Sequence, residues 1–227
     1  MSMQGSLRRE LRAVLKQGEL IVRAARPEGD GAGASLGRGE RLVVFVHGFM
    51  ARGPVWGPMR EAVVAAHDVE TIDLSYGPLE SFEAVCDRVR RIVERLHADR
   101  PVTLVGHSLG GLVSRRIVQT DDAVGGRIDR LVTLASPHEG TRAARLPAGP
   151  LVAAIRPGSS VIQALERDRH LLERVHRVAV VASRDRMITP PSSAAQLPGA
   201  EVVWLDVGHN EILFDADAIA LVKRHVA

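Results

Sequence analysis

The short run Val102–Val105, followed at once by Gly106-His107-Ser108-Leu109-Gly110-Gly111, constrains this chain more than any other feature. The run reads as a strand, and residues 109–119 read as the helix that follows it. Between them the G-x-S-x-G spacing describes a sharp strand-to-helix turn that lifts a serine hydroxyl above the sheet edge. Such a turn strains the serine backbone, and side chains two residues to either side would collide, so Gly106 and Gly110 remove them. In an arbitrary loop the same spacing would be an incidental serine among glycines. Here the strand before it and the helix after it make Ser108 a candidate nucleophile, at a helix amino terminus that favours developing negative charge.

The rest of the chain supplies matching elements. Leu42–Val46, Val69–Leu74, Leu131–Ala135, Val178–Ala182 and Val202–Val207 read as further strands. Helices are expected at 55–66, at 82–96 and near 214–226. In the second of these, Phe82, Val85, Val89, Ile92, Val93 and Leu96 fall at helical spacing, behind Ser81 as N-cap. Strands alternating with helices imply an α/β fold: a mostly parallel central sheet of about six strands with helices on both faces. Residues 141–176 exceed what one crossover needs, and with Pro147, Pro150, Pro157 and the apolar Leu151–Ile155 they read as a short inserted cap. Residues 1–40 read as a peripheral element on the main domain at 41–227. It comprises a helix over 6–17, with Leu7, Leu11, Val14 and Leu15 on one stripe, and a Gly-rich connection from Glu28 to Gly39.

Composition narrows the function classes. The 227 residues are 45% hydrophobic and 25% charged, which suits one domain with its own core. The single cysteine, Cys86, excludes an intramolecular disulfide and a multi-cysteine metal site, and its place on an apolar helix face reads as core filling. No apolar run is long enough for a membrane span, and no apolar core follows the first basic residues, so a soluble cytoplasmic protein is expected. A formal charge of +3 coexists with a sequence pI near 9.7 because all basic residues except Lys16 and Lys223 are arginine. The arginines are scattered and aromatics are 3%, which argues against nucleic-acid binding.

A serine hydroxyl needs a base, and the base needs an orienting acid. His209, in Val207-Gly208-His209-Asn210-Glu211 after the last strand, fits the order serine, acid, histidine. Asp185 directly follows the fifth strand and so shares the edge of Ser108. Asp206 is its rival, with Asp168 and Asp215 behind. An oxyanion needs backbone N–H donors already aimed at it. Leu109 supplies one, and the loop after the first strand, Val46-His47-Gly48-Phe49-Met50, supplies the other through Phe49, with Met50 second.

With these residues in place, the chain resembles the α/β-hydrolase superfamily and, within it, the bacterial lipase/esterase branch. The likeness spans about 41–226 and rests on His47-Gly48-Phe49, Gly106 to Gly111, Leu134 to Thr141, Ser183 to Pro190, and Gly208-His209. Ser136-Pro137-His138-Glu139-Gly140 is similar to the (Ser/Thr)-Pro-His-x-Gly stretch of bacterial lipases and of relatives of inositol deacylases, and Arg156 to Ser160 is similar to those relatives' cap. The resemblance implies Ser108 as nucleophile, Asp185 as orienting acid, His209 as base, and Phe49 and Leu109 as oxyanion donors. It implies a serine carboxylic-ester hydrolase for short- to medium-chain acyl esters, with a small-molecule ester or lipid as substrate and no cofactor. The same machinery serves thioesters, lactones, amides or acyl transfer, and a non-catalytic binding protein is the remote alternative. Met50, Leu151, Val152 and Ile155 are expected to shape the acyl site, with Tyr76 lining it and Trp56 lining it or in the core. His107 reads as a packing residue beside the turn, and His138 as structural or pocket-lining. The sequence shows no calcium- or zinc-ligand pattern, gives no ground for stable membrane insertion and does not specify an oligomeric state.

Overall fold

The computed structural model describes residues 3–23, 35–95, 100–120, 122–145 and 149–226. Six strands, β1 (Arg41–Val46), β2 (Val69–Leu74), β3 (Val102–His107), β4 (Ile128–Leu134), β5 (His176–Ala182) and β6 (Glu201–Leu205), form one sheet in the order β2-β1-β3-β4-β5-β6. Every pairing is parallel. All carboxyl ends therefore lie on one edge. The chain leaves β1 to place β2 on one side and returns to place β3 on the other, so the order reverses at β1. In open α/β sheets a crevice opens outside the carboxyl ends of the strands at such a reversal. Register brings Val46 of β1 beside Gly106 of β3, which sets the two candidate loops, 47–50 and 107–109, next to each other.

Eight α-helices complete the described fold: α1 (Met3–Arg23), α2 (Gly57–Val64), α3 (Phe82–Arg95), α4 (Leu109–Val118), α5 (Ala123–Arg127), α6 (Pro150–Ala154), α7 (Ser160–Arg167) and α8 (Ala216–His225). Alternation along β1 sorts the core. Leu42, Val44 and Val46 join α3, α4 and the cap helices α6 and α7 on one face. Val43 and Phe45 join Met59 and Val63 of α2 and Ala218 and Val222 of α8 on the other. Buried Arg115 of α4 ties the cap to the body, donating from Nη2 to the carbonyl of Leu165 at 3.0 Å and from Nε to Gln119 at 3.0 Å.

Several elements differ from their sequence limits. Strand β4 begins at Ile128 rather than Leu131, because polar Asp129 at its amino end is engaged by Arg41 at 2.5 and 2.8 Å. The hydrophobic pattern alone does not register that pair. Strand β3 runs on through His107, and β6 stops at Leu205. Ser81 does cap α3, its hydroxyl accepting from the N–H of Ala84 at 3.1 Å. Trp56 is core and not pocket wall: it is fully buried against Phe45, ring centroids 5.0 Å apart.

Helix α1 extends past both ends of the expected 6–17 span and sits the opposite way round from an ordinary surface helix. Leu7, Leu11, Val14 and Leu15 face solvent, while Ala13 is buried and Glu10 and Gln17 bond to the body. Of the Gly-rich connection, residues 28–34 lie outside the described part. Leu36 forms an antiparallel bridge to Thr71 on the edge strand β2.

Candidate active site

Ser108 occupies the turn between β3 and α4 with φ 54° and ψ −123°, in the positive-φ half of backbone space that side chains rarely adopt. Its surroundings over-determine that strain. A Cβ on Gly106 would lie 2.5 Å from the carbonyl oxygen of Gly110 and 2.5 Å from the Cα of Gly111. A Cβ on Gly110 would lie 2.1 Å from the carbonyl oxygen of Val46, so α4 can reach β1 only with glycine there. The Ser108 N–H donates to the carbonyl of Leu134 at 2.9 Å, fastening the turn to β4. The serine itself is buried, 6% exposed.

Loop 47–50 crosses directly over this turn. A Cβ on Gly48 would stand 3.0 Å from both the Ser108 Cβ and the His107 Nδ1, which is why the chain passes there as glycine. Among the described residues, the backbone N–H groups of Phe49 and Leu109 have no hydrogen-bond acceptor. Met50 follows in a left-handed conformation, φ 63°, with its side chain 69% exposed.

Sequence reasoning had no signal for what holds this loop. The His47 ring is wholly buried, bonded through Nδ1 to the Gly48 carbonyl at 2.7 Å, and it accepts the Tyr76 N–H at Nε2 at 3.2 Å. The Tyr76 ring stacks on it at 4.0 Å, and the Tyr76 hydroxyl donates to the His47 carbonyl. This pattern fixes the Nδ1–H tautomer. Burial pushes the imidazole down to about 4, with the Gly48 bond opposing the shift and Arg52 adding to it. Tyr76, expected near the acyl pocket, is thus a strut for loop 47–50.

Asp185 lies in the loop after β5, where Oδ1 accepts the N–H groups of Met187 and Ile188, both at 2.8 Å. That leaves Oδ2 turned to His209 Nδ1 at 2.7 Å, with both side chains buried. The rival carboxylates are engaged elsewhere. Asp206 is exposed and pairs with Arg184 at 2.7 Å; Asp168 pairs with Arg116 at 2.8 Å; Asp215 caps α8. His107 lies beneath His209, ring centroids 4.7 Å apart, and its Nε2 donates to the His209 carbonyl at 2.9 Å. Burial first, and the nearby His209 second, hold His107 well below the usual imidazole range. Ser108 therefore sits next to a residue that touches His209, although Ser108 Oγ makes no hydrogen bond to His209 among the described residues. Such bonds are often long without substrate and tighten in the complex.

The loop bearing His209 is held from a distant part of the chain. Glu10 on α1 accepts from the Asn210 N–H and side-chain amide, both at 2.8 Å, through Oε1, and from the Glu211 N–H at 3.3 Å through Oε2. A Cβ on Gly208 would come 2.2 Å from Glu10 Oε2, so glycine is required for this approach. Glu211 closes the same loop by accepting the Gly208 N–H at 2.9 Å.

Of the expected acyl-site residues, Leu151 is fully buried, and Val152 and Ile155 are buried nearly so, all in one apolar cluster with Leu109; Phe49 packs against it. His138 is buried, its Nε2 beside Thr133 Oγ1 at 3.1 Å. One trio among the described residues has metal-ligand character: His176, Glu201 and His225, with ligand atoms within 4.8 Å of one another. It lies at the amino ends of β5 and β6, the opposite edge from Ser108.

The comparisons fit this geometry. The model of a PGAP1-like alpha/beta domain matches residues 77–147, the span that carries the Ser108 turn. Over 103 residues the chain is 34% identical to the pimeloyl-[acyl-carrier protein] methyl ester esterase of Aliivibrio fischeri, a match covering 44% of this chain and 38% of that protein. Among solved structures, Aspergillus fumigatus lipase B superposes with a TM-score of 0.73 at 16% identity, covering 85% of this chain and 55% of that one. The Paleococcus ferrophilus monoacylglycerol lipase gives 0.63 at 20% identity, covering 84% and 94%. The chain has the α/β-hydrolase fold of these structures. The match spans well under half the length of the curated relative. No helix among the described residues is long and apolar enough to cross a membrane.

Two predictions follow from the buried supports. Because the native His47 binds its proton less readily than the unfolded chain does, stability falls as pH drops from 6.5 through about 4. His47 alone contributes a loss on the order of 3 kcal/mol. His107 and His138 are displaced in the same direction by burial. Urea unfolding across that range should show the decline, and a flat profile would remove the buried neutral imidazole from the account. Glu10→Ala strips the acceptor from three donors of the 210–211 segment, at a cost of about 1–3 kcal/mol. Amide exchange at Asn210 and Glu211 should quicken while exchange in β3 does not; unchanged exchange would mean the loop holds itself.

Proposed function

We propose that the chain is a serine carboxylic-ester hydrolase in which Ser108, His209 and Asp185 act as a triad. The observation that carries this reading is the 2.7 Å bond from buried Asp185 to His209 Nδ1, on the sheet edge where Ser108 holds a strained turn. That bond leaves Nε2 of His209 as the nitrogen available to the serine.

In the proposed reaction Ser108 Oγ attacks the ester carbonyl and passes its proton to His209 Nε2, while Asp185 stabilises the imidazolium through Nδ1–H. The Phe49 and Leu109 N–H groups receive the oxyanion. Collapse of the tetrahedral intermediate breaks the ester C–O bond, and the alcohol leaves with the proton from Nε2. Water then attacks the acyl-enzyme, His209 takes its proton, and Ser108 regains it as the acid departs. No step calls on a metal or cofactor.

Short- to medium-chain acyl groups suit a cap whose described helices, α6 and α7, are both brief. Met50 is the exposed residue of the proposed acyl site, and Leu151, Val152 and Ile155 form the buried apolar cluster behind Phe49. The name of the Aliivibrio relative, a methyl ester esterase, supports the reaction class; the lipase folds support it only as architecture.

A p-nitrophenyl ester series from acetyl to palmitoyl tests the reading. The expected result is a maximum at short or medium chains that Ser108→Ala abolishes, with Asp185→Asn losing up to about 10⁴ in turnover. Activity surviving in Ser108→Ala, or a crippled Asp206→Asn beside a normal Asp185→Asn, would overturn the assignment.

A further inference from the structure

Helix α1 inverts the usual logic of a surface helix. Leu7, Leu11, Val14 and Leu15 are 58%, 57%, 44% and 60% exposed and follow one another at positions i, i+4, i+7 and i+8, a single continuous stripe. The side toward the body is instead polar or small: Ala13 is buried, Glu10 and Gln17 bond to Asn210, and Arg9 pairs with Glu211 at 3.3 Å. Four large aliphatic side chains in a row on one exposed helix face form a contiguous apolar patch, which marks an interaction surface.

The charges beside the stripe indicate what covers it. Arg8, Arg12 and Lys16, again four residues apart, run along one border of the leucines and are exposed. Lys16 also lies over the Phe214 ring at 4.7 Å, which anchors that border to the body. Glu19 is the exposed acid on this side, whereas Glu10 is turned inward. An apolar stripe bordered by arginine and lysine is the pattern of a helix lying in the headgroup region of an anionic bilayer, with its leucines among the upper acyl chains. The net positive charge of the chain has the matching sign.

We propose that α1 docks the protein on an anionic phospholipid surface. The placement also orients the molecule. Helix α1 packs on the 53–56 turn, just after Phe49 and Met50, and on the 211–213 turn, just after His209. Met187, 48% exposed, contacts the Asn210 side chain that Glu10 holds, and Met50 is 69% exposed on the same edge of the sheet. Docking through α1 therefore brings the edge that bears Ser108 toward the lipid. The binding does not depend on the reaction proposed above.

Co-sedimentation of the full chain with vesicles tests this directly. The protein should bind vesicles containing phosphatidylglycerol, bind phosphatidylcholine vesicles much less, and release from the former as salt rises. Leu11→Glu combined with Leu15→Glu should weaken binding by about tenfold or more, with the melting temperature and the hydrolysis of soluble short esters unchanged, because both side chains are exposed. Arg8→Gln with Arg12→Gln should weaken it by roughly fivefold per charge and flatten the salt dependence. Wild-type protein that stays in the supernatant, or leucine variants that bind as before, would overturn the proposal. So would a dimer in light scattering that the leucine variants dissociate, since the stripe would then be covered by a second copy.

Discussion

The arrangement depends on one close approach: the turn at Ser108 pressed against the exit of β1. A positive-φ serine is costly in isolation, and it persists because the neighbours leave no other course. Gly110 lets α4 touch the Val46 carbonyl, Gly48 lets loop 47–50 cross over Ser108, and the Leu134 carbonyl accepts the serine N–H from the other side. The reversal of strand order at β1 makes this meeting possible, because only there do two neighbouring strands send their connections to opposite sides.

The residues around that contact form two layers. The inner one comprises Ser108, His209, Asp185 and the N–H groups of Phe49 and Leu109. The outer one consists of buried groups that fix the backbone carrying them: His47 and Tyr76 under loop 47–50, His107 under His209, and Glu10 beyond it. Two of these supports are histidines held neutral by burial, so the scaffold of the site carries a built-in sensitivity to acid.

Much of this was legible in the sequence, for physical reasons. The inner strands β1, β3, β4 and β5 are buried at their carboxyl halves and leave apolar runs there, and the edge strands β2 and β6 stand at matching intervals, so all six lie within a few residues of their expected limits. The Ser108 turn was legible because its steric demands force glycine at fixed offsets. Asp185 was separable from Asp206 by its place directly after β5. What the sequence did not disclose involves partners far apart along the chain. Glu10 and Asn210 are 200 positions apart and make no pattern. The Tyr76 strut leaves none either. The stripe of α1 was visible as a stripe, but periodicity does not say which way a face points; here Glu10 and Gln17 bond to the body and the leucines face outward.

The central claim is that Ser108 is a nucleophile made reactive by His209 and Asp185. Intact-protein mass spectrometry after treatment with a fluorophosphonate probe tests it most directly. The account predicts one adduct per chain, mapped to Ser108, absent in Ser108→Ala and formed far more slowly in His209→Ala. An adduct on another residue, or equal labelling of folded Ser108→Ala, would contradict it.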